Sequence, residues 1–129
     1  MVLSEVGSKE EGVIIHPSRW IKMMENELKA GAFKVIAEAR ESGNVWIYHK
    51  NGSAHTLLIN RIVNKIKIEN IIWETPQKSQ QVYFLKLFGS NVNVGNISID
   101  DVIPLETLRL GLRGDTFFTF LPESINKPI

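Results

Sequence analysis

The sequence contains no cysteine, so a disulfide framework and thiolate metal sites are excluded. An excess of one charge is also missing. Fifteen Lys and Arg stand against fourteen Asp and Glu, a formal net charge of +1. A cationic sleeve that holds nucleic acid by charge alone is thereby excluded, and any such contact must come from a few placed residues or from a larger assembly. No apolar run approaches the roughly 18 residues that span a bilayer, so no membrane partner is expected. The N-terminus, MVLSEVGSKEEG, is polar and acidic and does not read as a signal peptide. Internal repeats and low-complexity tracts are absent as well.

Catalytic signals are equally scarce. His16, His49 and His55 are the three histidines and show no metal-binding spacing, although His49 and His55 could meet across a bend. Asp100 and Asp101 are adjacent and point to opposite sides of a strand instead of converging on one bond. The Gly- and Asn-rich GSNVNVGN lacks the Lys-Ser/Thr pair and the following helix of a phosphate loop. These absences lead to the expectation of a protein that is not an enzyme and holds no metal or cofactor.

What is present, in 129 residues of which 43% are hydrophobic, suits one domain with a modest core. Residues 1–15 read as a flexible arm, 16–122 as a single domain with an inserted extension at about 64–104, and 123–129 as a tail. His16-Pro17-Ser18 opens a helix, with proline at the first helical position. Trp20, Met24 and Leu28 recur at helical spacing, and Gly31 supplies a stop. The period then changes to two: residues 33–40 and 45–51, joined by ESGN, predict a hairpin, and Asn51-Gly52-Ser53 a second turn.

Leu57 to Trp73 is rich in β-branched residues, with Ile62, Ile66, Ile68 and Ile72 on one parity, and predicts a long, bent strand. VYFLKLF predicts another. In LRLGLRGDTFFTFLPE, Leu108, Leu110 and Leu112 alternate with polar or small residues, and Phe117, Phe118 and Phe120 follow Arg113-Gly114-Asp115. That tripeptide reads as a turn between strands, a cell-adhesion signal or a nucleic-acid-contacting corner. The expected fold is mostly β: an N-terminal helix followed by a small, strongly bent antiparallel barrel.

The helix-then-strands order, together with LGLRGDTFFTFLP, resembles the Sm and Sm-like family of RNA-binding proteins. The resemblance covers about residues 16–63 and 105–122. It implies a subunit of a ring, a heteroheptamer of Sm-like proteins, that holds single-stranded uridine-rich RNA in a nuclear ribonucleoprotein engaged in splicing or RNA processing. His55 and Arg113 would sandwich a base, Gly114 would make room, and Ser53 and Asp115 would brace their loops. A second register places the first RNA-binding loop at Asn60 to Asn64, with those two residues as the polar contacts. Ser53 and Leu57 depart from the family's pattern, which leaves open a protein-interaction module of Sm-like or SH3-like shape without RNA, or a viral structural barrel.

Overall fold

The computed structural model describes residues 1–7, 15–39, 47–122 and 125. Its elements, in chain order, are β1 (Leu3–Val6), α1 (Pro17–Lys29), β2 (Lys34–Ala37), α2 (Thr56–Val63), β3 (Ile71–Glu74), α3 (Lys78–Phe88), β4 (Val94–Gly95), α4 (Val102–Arg109) and α5 (Gly114–Phe117). Single 3₁₀ turns at Ile68–Asn70 and Ile99–Asp101 precede β3 and α4.

Helix α1 forms where the sequence predicts it. His16 is the N-cap, its Nδ1 accepting from the Ser18 N–H at 3.2 Å, and Pro17 follows where a missing N–H leaves nothing unpaired. Trp20 and Met24, one turn apart, are fully buried. Gly31, at φ +106°, reverses the chain toward β2.

The four strands form one sheet in the order β1-β2-β3-β4, and every pairing is parallel. Parallel neighbours need long crossovers. Residues 7–33, 38–70 and 75–93 are those crossovers, and they carry α1, α2 and α3. Val6, Val35, Ala37, Ile71 and Trp73 are buried on one face, in one cluster with Trp20, Met24, Ile59, Ile62 and Phe84 from the helices. The opposite parity, Glu5, Ile36, Ile72 and Glu74, is nowhere fully buried. A consecutive parallel sheet with its helices on one face is the arrangement of a (β/α) barrel segment, not of a doubly wound sheet.

This architecture overturns the expected antiparallel Sm-like barrel, and with it the SH3-like alternative. The fold is α/β of the TIM-barrel type. Leu57–Trp73 is helix α2, a turn and only then strand β3. VYFLKLF is the body of α3, and the alternating leucines end α4. Strand β2 pairs with β1 and β3, not with a hairpin partner; residues 40–46, where the hairpin turn was expected, lie outside the described residues. Leu3–Val6, within the expected N-terminal arm, is the strand β1. Among the described residues no helix is long and apolar enough to cross a membrane.

Candidate active site

All four strands run the same way, so their C-terminal ends make one edge, and the loops leaving that edge are where α/β sheets hold their ligands. Three glutamates reach it. Glu5 lies opposite Ile36, which lies opposite Ile72, on the uncovered parity. Glu74 is the last residue of β3 and shares that parity. Glu38 follows β2, its N–H extending the ladder to the Val6 carbonyl at 3.2 Å.

Two glycines leave room at this edge, one of them for a glutamate. A Cβ on Gly7 would stand 2.6 Å from Glu38 Oε2, so the Glu38 carboxylate leans over the end of β1. A Cβ on Gly95 would approach Ile72 Cγ2 to 3.1 Å. Asn96 follows with φ +55°, a left-handed conformation that asparagine tolerates better than most residues, and its side chain hydrogen-bonds to Glu74.

Glu74 is the centre of the cluster. Burial pushes its carboxyl above the usual carboxylate range, and the charges of Glu38 and Glu5 add to that. The Ala39 N–H, donating to Glu74 Oε2 at 2.5 Å, and the Asn96 side chain pull part of the way back. Its backbone is fixed separately: the Tyr48 hydroxyl donates to the Glu74 carbonyl at 2.6 Å. Burial, reinforced by Glu74 and Tyr83, drives the Tyr48 phenol far above its ordinary value, so it remains a hydrogen-bond donor. On the opposite face of β3, Trp73 stacks on Phe84 with centroids 4.8 Å apart, which stiffens the strand that carries Glu74. Among the described residues no three His, Cys, Asp or Glu side chains are grouped closely enough to enclose a metal ion.

The residues expected to contact RNA lie elsewhere on the chain's loops and helix ends. His55 is the N-cap of α2, and its ring packs on that of His49 at 3.6 Å, so the two histidines do meet across a bend. Ser53 Oγ donates to Asn51 Oδ1 at 2.7 Å within the same turn. Asn60 is exposed on α2, and Asn64 is its C-cap. Arg113 is the N-cap of α5, and Gly114 opens that helix without a positive φ. Asp115 pairs with Lys78 at 3.0 Å. The first turn of α3 stands between the two groups, since Gln80 Nε2 donates to the Gly52 carbonyl at 3.1 Å while Lys78 holds Asp115.

Glu5, Glu38, Glu74 and Asn96 were not singled out by the sequence reading. The three glutamates share one signal, an acidic residue within or beside a short strand-like stretch: LSEVG, VIAEA and IIWET.

Comparison with known proteins gives this edge a chemical context. The model of the ComA family, described as (2R)-phospho-3-sulfolactate synthase, matches residues 1–115. The phosphosulfolactate synthase of Methanothermobacter thermautotrophicus is 46% identical over 119 residues, 90% of this chain and 46% of the relative. That of Bacillus subtilis is 45% identical over 121 residues, 92% of this chain and 48% of the relative. The Methanocaldococcus jannaschii protein of the same name is 46% identical over 120 residues, 91% of this chain and 48% of the relative. The chain thus spans about half the length of the curated relatives it matches.

These matches overturn the Sm-like resemblance and what followed from it: the RNA-binding ring subunit, the ribonucleoprotein partners and the absence of catalysis. The nuclear location falls too, because the relatives come from archaea and a bacterium, which have no nucleus. The Arg-Gly-Asp corner that carried the resemblance is a helix start instead of a turn between strands.

Proposed function

Since the chain belongs to the (2R)-phospho-3-sulfolactate synthase family, we propose that it supplies one wall of such a synthase's active site, with Glu74 as proton donor. The observation that carries this reading is the convergence of Glu74, Glu38, Glu5 and Asn96 at the C-terminal edge of the sheet, on its uncovered face.

The family's name specifies a lactate skeleton with a phosphate, a sulfo group on C3 and a single hand at C2. Addition of a sulfite-class nucleophile to a three-carbon enol phosphate makes that molecule in one step. The sulfur lone pair forms the C3–S bond. The electron pair of the double bond moves onto C2 and its carboxylate. A proton then completes C2, and no oxidant or reductant is consumed. A single R centre requires that proton to arrive on one face, from a group held in place. Glu74 answers this need: its raised proton affinity suits a donor, and the Ala39 N–H and Asn96 side chain receive the carboxylate it becomes. Glu38 and Glu5 keep that affinity high and stand where a second proton or a polar group of the substrate would be held.

The test is Glu74→Gln in a protein that joins this chain to the remainder of a curated relative. A loss of about 10²- to 10⁴-fold in kcat is expected, with the circular dichroism spectrum unchanged. Turnover retained at the parent rate removes Glu74 from the role.

A further inference from the structure

The turn Asn51-Gly52-Ser53 carries chemistry that the acidic edge does not use. We infer that Asn51 is a self-modification site: the Gly52 nitrogen closes on the Asn51 side-chain amide, and the residue ends as aspartate or isoaspartate. Asn51 is the one asparagine in the sequence that precedes a glycine. With no side chain on the next residue, the backbone nitrogen is unhindered toward a neighbouring carbon; after every other asparagine a Cβ stands in the way. The fold holds glycine at this position. Gly52 has φ +85°, and a Cβ there would stand 2.7 Å from Gln77 Oε1.

The Asn51 side chain is prepared as well. Asn51 and Ser53 are exposed, so water reaches the amide. Asn51 Oδ1 accepts from the Ser53 N–H at 3.0 Å and from the Ser53 hydroxyl at 2.7 Å. Both donors stand where negative charge develops when Cγ becomes tetrahedral, as in an oxyanion hole. The nucleophile is restrained by one bond, the Gly52 N–H donating to the His49 carbonyl at 2.9 Å. Releasing a single hydrogen bond slows the reaction about two- to tenfold and does not block it.

Hydroxide takes the Gly52 amide proton, the N–Cγ bond forms and the Cγ–Nδ2 bond breaks. The side-chain nitrogen takes a proton from water and leaves as ammonia. Water then opens the five-membered imide at either carbonyl. One water is consumed and one ammonia released, and nothing is oxidised or reduced. A carboxylate replaces the amide, and opening at the main-chain carbonyl routes the backbone through the side chain, one methylene longer. That change falls in a tied hairpin. The Gly52 carbonyl accepts from Gln80 Nε2 at 3.1 Å, and the His55 N–H donates to the Ile47 carbonyl at 2.9 Å. Tyr48, whose hydroxyl holds the Glu74 carbonyl, lies on the same ribbon.

The experiment ages the full chain in mildly alkaline buffer beside a synthetic peptide of its residues 48–55. Product is located by peptide mapping with electron-transfer fragmentation and by enzymatic methylation of isoaspartate. Conversion is expected at Asn51 ahead of every other asparagine, at a rate within about tenfold of the peptide's, and rising with hydroxide concentration. Ser53→Ala should slow it about two- to tenfold in the chain. Asn51→Gln, one methylene too long for a five-membered ring, should leave the site unmodified. In the isoaspartyl fraction the His55 amide should exchange with solvent faster than in fresh protein. Asn51 intact in the chain after the peptide has converted overturns the inference. An unchanged rate in Ser53→Ala overturns the role of the two Ser53 donors, and unchanged exchange at His55 overturns the coupling to the hairpin.

Discussion

The backbone N–H of Ala39, just past the end of β2, donates to the carboxylate of Glu74, the last residue of β3, at 2.5 Å. A side chain thus takes over where the β2–β3 ladder stops, and this joins two loops at the C-terminal edge of the sheet that the chain separates by more than thirty positions. The bond also fixes which way the carboxylate faces. It favours the ionised form, yet burial outweighs it, and the proton affinity of Glu74 ends above its ordinary value.

That balance predicts a pH dependence of stability. A carboxyl with a raised affinity in the folded state binds more protons there than when unfolded, so its contribution is fully present below the ordinary carboxylate range and is lost as pH rises through the folded value. In Glu74→Gln the contribution is absent. Urea denaturation between about pH 4 and pH 8 should show the difference in stability between wild type and variant changing in that window, with wild type losing ground as pH rises. A difference that stays flat across the range would mean that Glu74 titrates normally.

Phe84 should be the costliest single truncation on α3. It is fully buried, stacked on Trp73 at 4.8 Å and in edge contact with Tyr48 at 6.5 Å. Phe84→Ala removes these contacts and leaves a cavity behind β3, for an expected loss of about 3–5 kcal/mol. Denaturant melts followed by Trp fluorescence measure it.

The parts of this fold that were legible in the sequence are those where one signal dominates. Pro17, the Trp20–Met24 stripe and Gly31 give α1 almost to the residue, and the alternation from Lys34 gives β2. Leu57–Trp73 misled because its β-branched residues satisfy two periods at once. Ile62 and Ile66 are two steps of a strand parity and also one turn of a helix, and Leu58, Ile59 and Ile62 are the buried helical face. In α3 the decisive marks were Gln77 and Gln80, a capping box, with Gln80, Gln81, Phe84 and Leu85 buried behind it. The alternating leucines were a false stripe, since only Leu108 is buried while Leu110 and Leu112 are exposed. The site itself was hidden for a topological reason. Glu5, Glu38 and Glu74 share a face only once the strands are parallel and in order, and an antiparallel reading scatters them.

Gly52 and Gly114 should respond oppositely to alanine. Gly52 has φ +85°, and a Cβ there would meet Gln77 Oε1 at 2.7 Å, on the side chain that caps α3. Gly52→Ala should cost about 1–2 kcal/mol from the left-handed backbone alone. Gly114 has ordinary φ, and a Cβ there meets nothing within 4 Å, so Gly114→Ala should stay within about 0.5 kcal/mol. Thermal melts of the two variants side by side check the pair.

His55 should titrate below an ordinary imidazole, because burial disfavours its charged form and the neighbouring His49 adds to the effect. In the window between the folded and the ordinary value the unfolded chain binds more protons, so stability falls as pH drops through it. His49→Ala exposes the His55 ring and removes the like charge, and both changes move its pKa upward. Two-dimensional NMR of the imidazole C–H signals across the titration reads this directly. An unmoved His55 in the variant would show that the ring contact at 3.6 Å does not control its proton.

The corner at Arg113–Thr116 should owe its stability to Thr116 and not to the charged residue beside it. Thr116 is fully buried, and its hydroxyl donates to the Leu108 carbonyl at 2.6 Å, pinning α5 to the end of α4. Thr116→Val keeps the shape and removes that bond. The Leu108 carbonyl still accepts from the Gly111 N–H at 3.1 Å, so the expected loss is about 1 kcal/mol and not the larger penalty of an orphaned acceptor. Asp115 meets Lys78 at 3.0 Å in the open, where side-chain entropy and salt offset the attraction, and Asp115→Ala should leave the melting midpoint where it was. Thr116→Val melting lower than Asp115→Ala, at low and at high salt alike, is the expected order. The reverse order, erased by salt, would make the Lys78–Asp115 pair the clasp that holds α5 on α3.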